Sequence, residues 1–128
     1  MSGVVVDTSV WIDFFAGRPL PALEQALAQG SVVLPPIVLA ELVSGAKSRR
    51  ERALVEDLAN DLEVHQTPVE HWVAVGELRG ELRKKGFTVS ISDVHVAQCA
   101  IDRNAILLTG DSVFEEIARL APLQLGTI

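Results

Sequence analysis

The chain has one cysteine in 128 residues, no apolar run of membrane-spanning length, no Gly/Ser- or Pro-rich tract and no excess of basic charge. Each absence narrows the possibilities. A lone Cys99 cannot form an internal disulfide, so the fold must rest on a packed core, and Cys99 itself reads as a small buried hydrophobe. A bilayer-spanning helix needs roughly 18–20 consecutive apolar residues, which the chain does not offer. The opening Met1-Ser2-Gly3-Val4 lacks the basic region of a signal peptide, and a cytoplasmic location without membrane contact is expected. The missing linker and the absence of a fixed-period repeat point to one domain over residues 1–128, long enough to bury a core unaided. With a net charge of -6, the overall field does not favour nucleic acid. Divalent ions bound to clustered carboxylates would cancel that charge locally and could themselves receive a phosphate.

What is present reads as alternating strand and helix. Val4–Val6, Val32–Leu34, Glu63–His65, Ile106–Leu108 and Leu123–Leu125 are short apolar or β-prone runs between longer helical patterns, which predicts a three-layer α/β/α sandwich around a mostly parallel sheet. Leu20, Leu23 and Leu27, and Leu54, Leu58 and Leu62, form stripes that read as core-facing. Thr67-Pro68-Val69-Glu70 and Ser112-Val113-Phe114-Glu115 read as capping boxes, Pro35-Pro36 as a helix start, and Gly45 and Gly86 as helix stops.

Four acids stand at the edges of apolar segments. Asp7 ends Val4-Val5-Val6, Asp111 follows Ile106-Leu107-Leu108-Thr109-Gly110, Glu41 sits within Ile37–Val43, and Asp93 opens the apolar stretch from Val94 to Ile101. All four are therefore candidates for burial, where a carboxylate requires a cation, a proton or strong hydrogen bonds. Local structure offers competing explanations. Asp7 could cap a helix beginning near Val10, Asp93 could belong to a capping box with Ser90 or Ser92, and Glu41 could be a solvated helix residue. Position favours a shared role, because ligands of open parallel sheets bind beyond the carboxyl ends of strands, where Asp7 and Asp111 fall. Two unit charges about 4 Å apart repel by about 4 kcal/mol at an effective dielectric of 20, so four gathered carboxylates call for a bound cation. Hard oxygen donors of this kind suit Mg²⁺ or Mn²⁺.

Asp7-Thr8-Ser9-Val10-Trp11-Ile12-Asp13, Leu39-Ala40-Glu41-Leu42, Ser92-Asp93 with Val94–Ala100, and Leu107-Leu108-Thr109-Gly110-Asp111-Ser112-Val113-Phe114 resemble, in order and spacing, the motifs of the PIN domain. The length and the opening motif are similar to the VapC toxins of prokaryotic type II toxin–antitoxin systems. The resemblance implies a Mg²⁺-dependent endoribonuclease with Asp7, Glu41, Asp93 and Asp111 as its metal-binding and catalytic acids. It implies Ser9 and Thr109 as hydroxyls that support the acids or a coordinated water. It further implies inhibition of translation and growth by the free toxin, a VapB-like antitoxin as partner, RNA as substrate, a homodimer, and contact with DNA only through the antitoxin. Trp11 and Trp72 read first as packing residues; because the early helices form part of the antitoxin-contacting surface in such proteins, Trp11 and Phe14-Phe15 are a secondary candidate for that contact. One position departs from the pattern: where the family often has an acid before the last Phe, this chain has Val113.

Lys47–Arg52 and Arg83-Lys84-Lys85 read first as solvated helix ends and, on the functional view, as phosphate contacts. His65, His71 and His95 show no ligand spacing among themselves. Two rival functions remain open at this stage. A receiver-type signalling module would share the length and an acidic pocket, but the first strand carries a single Asp and no Lys follows the last strand. A non-catalytic PIN-like binding domain would be free to lose acids that are all present here.

Overall fold

Val4–Val6 (β1) is β-branched throughout and covered on both faces, Val5 and Val6 being fully buried, as expected for the middle of a parallel sheet. A computed structural model describes residues 3–128. From β1 the chain runs through α1 (Thr8–Phe15), α2 (Pro21–Ala28), β2 (Val32–Leu34), α3 (Pro36–Gly45), α4 (Arg49–Asp61) and β3 (Glu63–Val64). It continues through α5 (Val69–Lys84), α6 (Ile91–Arg103), β4 (Ile106–Leu108), α7 (Val113–Leu120) and β5 (Gln124–Gly126).

The five strands pair in the order β3-β2-β1-β4-β5, and every pairing is parallel. β1 is held on both sides, Val4 opposite Val32 of β2 and opposite Ile106 of β4. The order reverses at β1, so right-handed crossovers place the helices of the two halves on opposite faces and produce the expected three-layer sandwich. The receiver-type alternative requires the order 2-1-3-4-5, which this sheet does not have. In open sheets of this kind ligands bind where the strand order reverses, here beyond the carboxyl ends of β1 and β4, the place where Asp7 and Thr109 leave the sheet.

α6 is the central helix. Seven consecutive residues, Val94 to Ala100, are buried, and the small Ala97, Cys99 and Ala100 among them suit its close packing against α5. Asn104 stops it with a left-handed φ of 53°, a conformation Asn tolerates because its short amide can bond locally. Gly86, just past the end of α5, likewise has a positive φ, 91°. The sequence expectations for elements are met with local exceptions. β3 ends one residue earlier than expected, although the His65 N–H still donates to Leu34 O at 2.9 Å, and β5 is shifted by one residue so that Leu123 is a buried lead-in.

Two caps differ from expectation. α5 starts at Val69 with Pro68 in the cap position; its extended backbone takes the place assigned to Thr67, and a proline ring has no side-chain acceptor. Ser112 adopts a helical backbone and makes no side-chain cap bond, because Asp111 Oδ1 accepts the Val113 N–H at 3.0 Å instead. The Leu54, Leu58 and Leu62 stripe is only half-buried. α4 buries Val55, one position round the helix, and its outer face carries charge.

Candidate metal centre

Asp7 is the fixed point of the site. It leaves β1 and caps α1, Oδ1 accepting the Thr8 N–H at 2.8 Å, so the helix begins two residues earlier than Val10. Its other oxygen, Oδ2, accepts from Ser9 Oγ at 3.0 Å and from Thr109 Oγ1 at 3.0 Å. Three donors on a carboxylate that is only 7% exposed satisfy much of its hydrogen-bonding capacity without a cation. The capping and functional readings of Asp7 therefore coexist, because different oxygens serve them.

Thr109 ties the two strand ends together. Its hydroxyl donates to Asp7 and accepts the Asp111 N–H at 3.0 Å, which fixes the turn leaving β4 and sets Asp111 beside Asp7. On the other flank Thr8 Oγ1 donates to Glu41 Oε1 at 2.7 Å. Glu41 is the sixth residue of α3, so a hydroxyl on α1 orients an acid on the neighbouring helix. Thr8 was not among the candidates from sequence. Its signal was the Asp7-Thr8-Ser9 run, in which three consecutive polar side chains point to different partners.

Asp93 is in the first turn of α6, whose cap is Ser90; the Ser90 hydroxyl accepts the Asp93 N–H at 3.1 Å. Burial raises the Asp93 carboxyl above the ordinary carboxylate range, the Ser90 hydrogen bond opposes this, and the charges of Asp7, Asp111 and Glu41 raise it further. The negative charges of all three other acids are thus felt at Asp93, as expected of groups that share one neighbourhood. The burial expected of the set holds only for Asp7: Asp93 is half-buried, and Glu41 and Asp111 are exposed. They gather at the mouth of the crevice instead of inside the core. Among the described residues, none of the four is in an ion pair.

The raised pKa of Asp93 has a definite sign for stability. Between the ordinary and the raised value the folded state binds more protons than the unfolded one, so stability falls as pH rises through that window. Above it the ionised carboxylate is a net cost in the metal-free protein. Asp93→Asn is therefore expected to raise Tm at pH 7 by about 1–4 °C, given roughly 0.2–1 kcal/mol for half-exposed charges and a few degrees per kcal/mol. The gain should vanish near pH 4 in thermal melts with chelator; a lower Tm at pH 7 would contradict the assigned repulsion.

As a donor set, four carboxylates supported by hydroxyls fit a hard divalent ion, Mg²⁺ or Mn²⁺, and offer no soft ligand. Val113, at the start of α7, packs against the core and adds no oxygen ligand. Beside the acids, Ile12, Phe15, Leu42 and Leu54 line a groove of about 420 Å³ that runs from Glu41 to Lys47 and Arg50. Trp11 does not belong to this surface: it is fully buried, stacked on Phe15 with ring centroids 6.2 Å apart. The basic residues of α4 and of the end of α5 are exposed, and two of them are partly neutralised, Arg52 by Glu56 at 3.0 Å and Lys84 by Glu81 at 3.2 Å.

Comparison with known proteins agrees with this geometry. The PIN domain profile matches residues 4–120. Ribonuclease VapC11 of Mycobacterium tuberculosis is 31% identical, over 94% of this chain and 96% of its own length. Ribonuclease VapC2 of Haemophilus influenzae is 28% identical over 91% and 92%. Among solved structures, DNA-bound VapBC from Salmonella typhimurium superposes with a TM-score of 0.83 at 27% identity, covering 99% of this chain and 98% of the other. VapBC2 from Rickettsia felis, bound to a promoter DNA fragment, gives 0.79 at 26% identity over 100% and 99%. With a matched profile over nearly its whole length and a four-acid crevice at the reversal of its sheet, the chain belongs to the PIN domain family and to its VapC-like group.

Proposed function

We propose that this chain is a Mg²⁺-dependent endoribonuclease, the toxin of a toxin–antitoxin pair, which cleaves RNA in the cytoplasm and inhibits translation when free of its antitoxin. The observation that carries the reading is the Thr109 bridge, one hydroxyl linking a buried Asp7 at the end of β1 to the turn that presents Asp111 after β4. Relatives named as ribonucleases and neighbours solved as VapBC complexes support it.

Asp7, Glu41, Asp93 and Asp111 would hold the ion. A divalent ion bound there supplies Lewis-acid chemistry, lowering the pKa of an attacking water and neutralising charge on the scissile phosphate. The chain's own contribution is placement. Ser9 and Thr109 donate to Asp7 Oδ2 and fix the direction of its carboxylate, while Thr8 does the same for Glu41. Exposed Glu41, Asp111 and half-buried Asp93 leave the crevice open to a polymer. The phosphodiester exchanges its leaving oxygen for the water oxygen, and no covalent bond to the protein is required.

The apolar groove beside Glu41 suits one segment of a VapB-like antitoxin, with Ile12 and Phe15 on its wall, so that occupancy would obstruct the crevice. Residues 1–128 act as one PIN-like unit, within a homodimer as the resemblance implies, and DNA contact comes only through the antitoxin.

The test is to incubate the purified protein with total RNA in Mg²⁺ or in EDTA and to map new ends. Discrete new ends in Mg²⁺ that disappear in EDTA are expected. Cleavage that survives EDTA, or no cleavage under any divalent ion, overturns the proposal.

A further inference from the structure

Between α5 and α6 lies a second group of ligand-type side chains with a different character. Asp102 Oδ2 is 2.7 Å from His71 Nδ1, His71 Nε2 is 2.7 Å from His95 Nδ1, and His95 Nε2 is 3.6 Å from Cys99 Sγ. Gln98 Nε2 donates to the other Asp102 oxygen at 2.8 Å. With Asp102 ionised, one proton arrangement satisfies the whole chain: His71 donates to Asp102, His95 donates to His71, and the Cys99 thiol donates to His95. Burial holds His95 down to about 4 and pushes the Cys99 thiol up. Burial works against ionisation of Asp102, but the bonds from His71 and Gln98 outweigh it and lower its pKa.

His65 is left over. It follows β3, is 7% exposed, and neither ring nitrogen has a hydrogen-bond partner. Its closest approach to a carboxylate, Nε2 to Asp102 Oδ2, is 3.6 Å, too long for a hydrogen bond. A buried imidazole with neither nitrogen satisfied is destabilising, and a ligand that engaged one of them would relieve that cost. One ligand atom each from His65, His71 and Cys99 lie within 4.8 Å of one another. A tetrahedral ion with bonds of about 2.0–2.3 Å holds its ligand atoms roughly 3.3–3.8 Å apart, so side-chain shifts of about an ångström would close the set.

We propose that His65, His71 and Cys99 form a binding site for a borderline-soft transition metal, Zn²⁺ in the first instance, separate from the hard-ion centre at Asp7. The donor chemistry selects the ion, since imidazole and thiolate favour Zn²⁺ over Mg²⁺. The surroundings support the arrangement. His71 can bind through Nε2 while Asp102 keeps its hold on Nδ1–H, the carboxylate–histidine–metal relation that orients metal-binding imidazoles. Binding breaks the His71–His95 hydrogen bond and releases the thiol proton of Cys99 to solvent as the sulfur–metal bond forms. Asp102, with a side chain 31% exposed, borders solvent and offers the way in. An ion there would tie the end of β3 to α5 and α6, the helix that also carries Asp93.

Sequence spacing did not mark this site: its three ligands come from just past the end of β3, from α5 and from α6, and only the tertiary fold brings them together.

The experiment is titration of reduced, chelator-treated protein with Co²⁺ and, separately, Zn²⁺. One equivalent of Co²⁺ is expected to give a thiolate-to-cobalt charge-transfer band and the strong visible bands of a tetrahedral site. Both should persist in Asp7→Asn and be lost in Cys99→Ala. Asp102→Asn is expected to weaken binding about 10–100-fold, and Zn²⁺ to raise Tm in the wild type but not in Cys99→Ala. No thiolate band in the wild type overturns the proposal, as does a band unchanged by Cys99→Ala or one abolished by Asp7→Asn. Should Cys99→Ala fail to fold, as judged by circular dichroism, folded His65→Asn takes its place: loss of tetrahedral Co²⁺ binding supports the site, and unchanged binding overturns it.

Discussion

Asp7→Asn is expected to lower RNA cleavage at least about 100-fold while leaving the fold intact. Asn is isosteric and remains a helix cap, so the Thr8 N–H keeps an acceptor and α1 keeps its start. What changes is the charge. The substitution removes the one buried carboxylate of the four, the anchor onto which Ser9 and Thr109 both donate. If Asn turns its amide nitrogen toward those hydroxyls, they must reverse, and the Thr109 link to Asp111 loosens as well. A loss of roughly 10²–10³ is typical when one preorganised charge-stabilising group is removed from an active site. Cleavage rates on a defined RNA, measured beside thermal melts, check this. Undiminished cleavage would remove Asp7 from the chemistry, whereas a collapsed melting curve would make its role structural.

Trp11→Ala is expected to destabilise the protein by about 3–5 kcal/mol, a fall in Tm of about 10 °C or more. Trp11, on α1, is fully buried, edge-on to Phe14 at 5.8 Å and stacked on Phe15 at 6.2 Å. Truncation leaves a large cavity in the layer that positions Asp7 and Thr8. Its indole N–H is already unpaired, so no hydrogen bond is lost and packing accounts for the effect. Ile12, its neighbour in sequence, is 57% exposed on the groove. Ile12→Ala should alter stability by no more than about 0.5 kcal/mol, yet weaken antitoxin binding about tenfold if the groove is the docking site. Calorimetric titration and thermal melts of the two variants separate the roles. Similar losses of binding, with both proteins folded, would mean that Trp11 is not the packing residue inferred here.

The contrast between Trp11 and Ile12 shows where sequence reading stops. Both are apolar and early in the chain, and helical periodicity over an eight-residue helix does not determine which face meets the sheet. The same limit shows in the Leu54, Leu58 and Leu62 stripe: Leu58 and Leu62 pack against the core as expected, but Leu54 lines the groove and Val55 is the residue α4 buries. Expectations about the acids were uneven for a related reason. Asp7 is buried as its place after three valines implies, but Glu41 and Asp111 are exposed, because apolar neighbours in sequence say little about a residue on the open side of a crevice.

The sequence by itself determined the strand runs and the alternation that requires a parallel sheet, and it singled out the four acids; Ser9 and Thr109 entered through the family resemblance. These signals are local, carried by β-branched runs, turn residues and motif spacing that do not depend on the rest of the chain. Tertiary structure alone decided the strand order, which puts β1 beside β4 and lets one threonine hydroxyl join residues 102 positions apart. It likewise decided which hydroxyl orients Glu41, and that His65, His71 and Cys99 meet beneath α5 and α6. Contacts between residues distant in sequence depend on helix rotation and packing, which remain undetermined until the core closes.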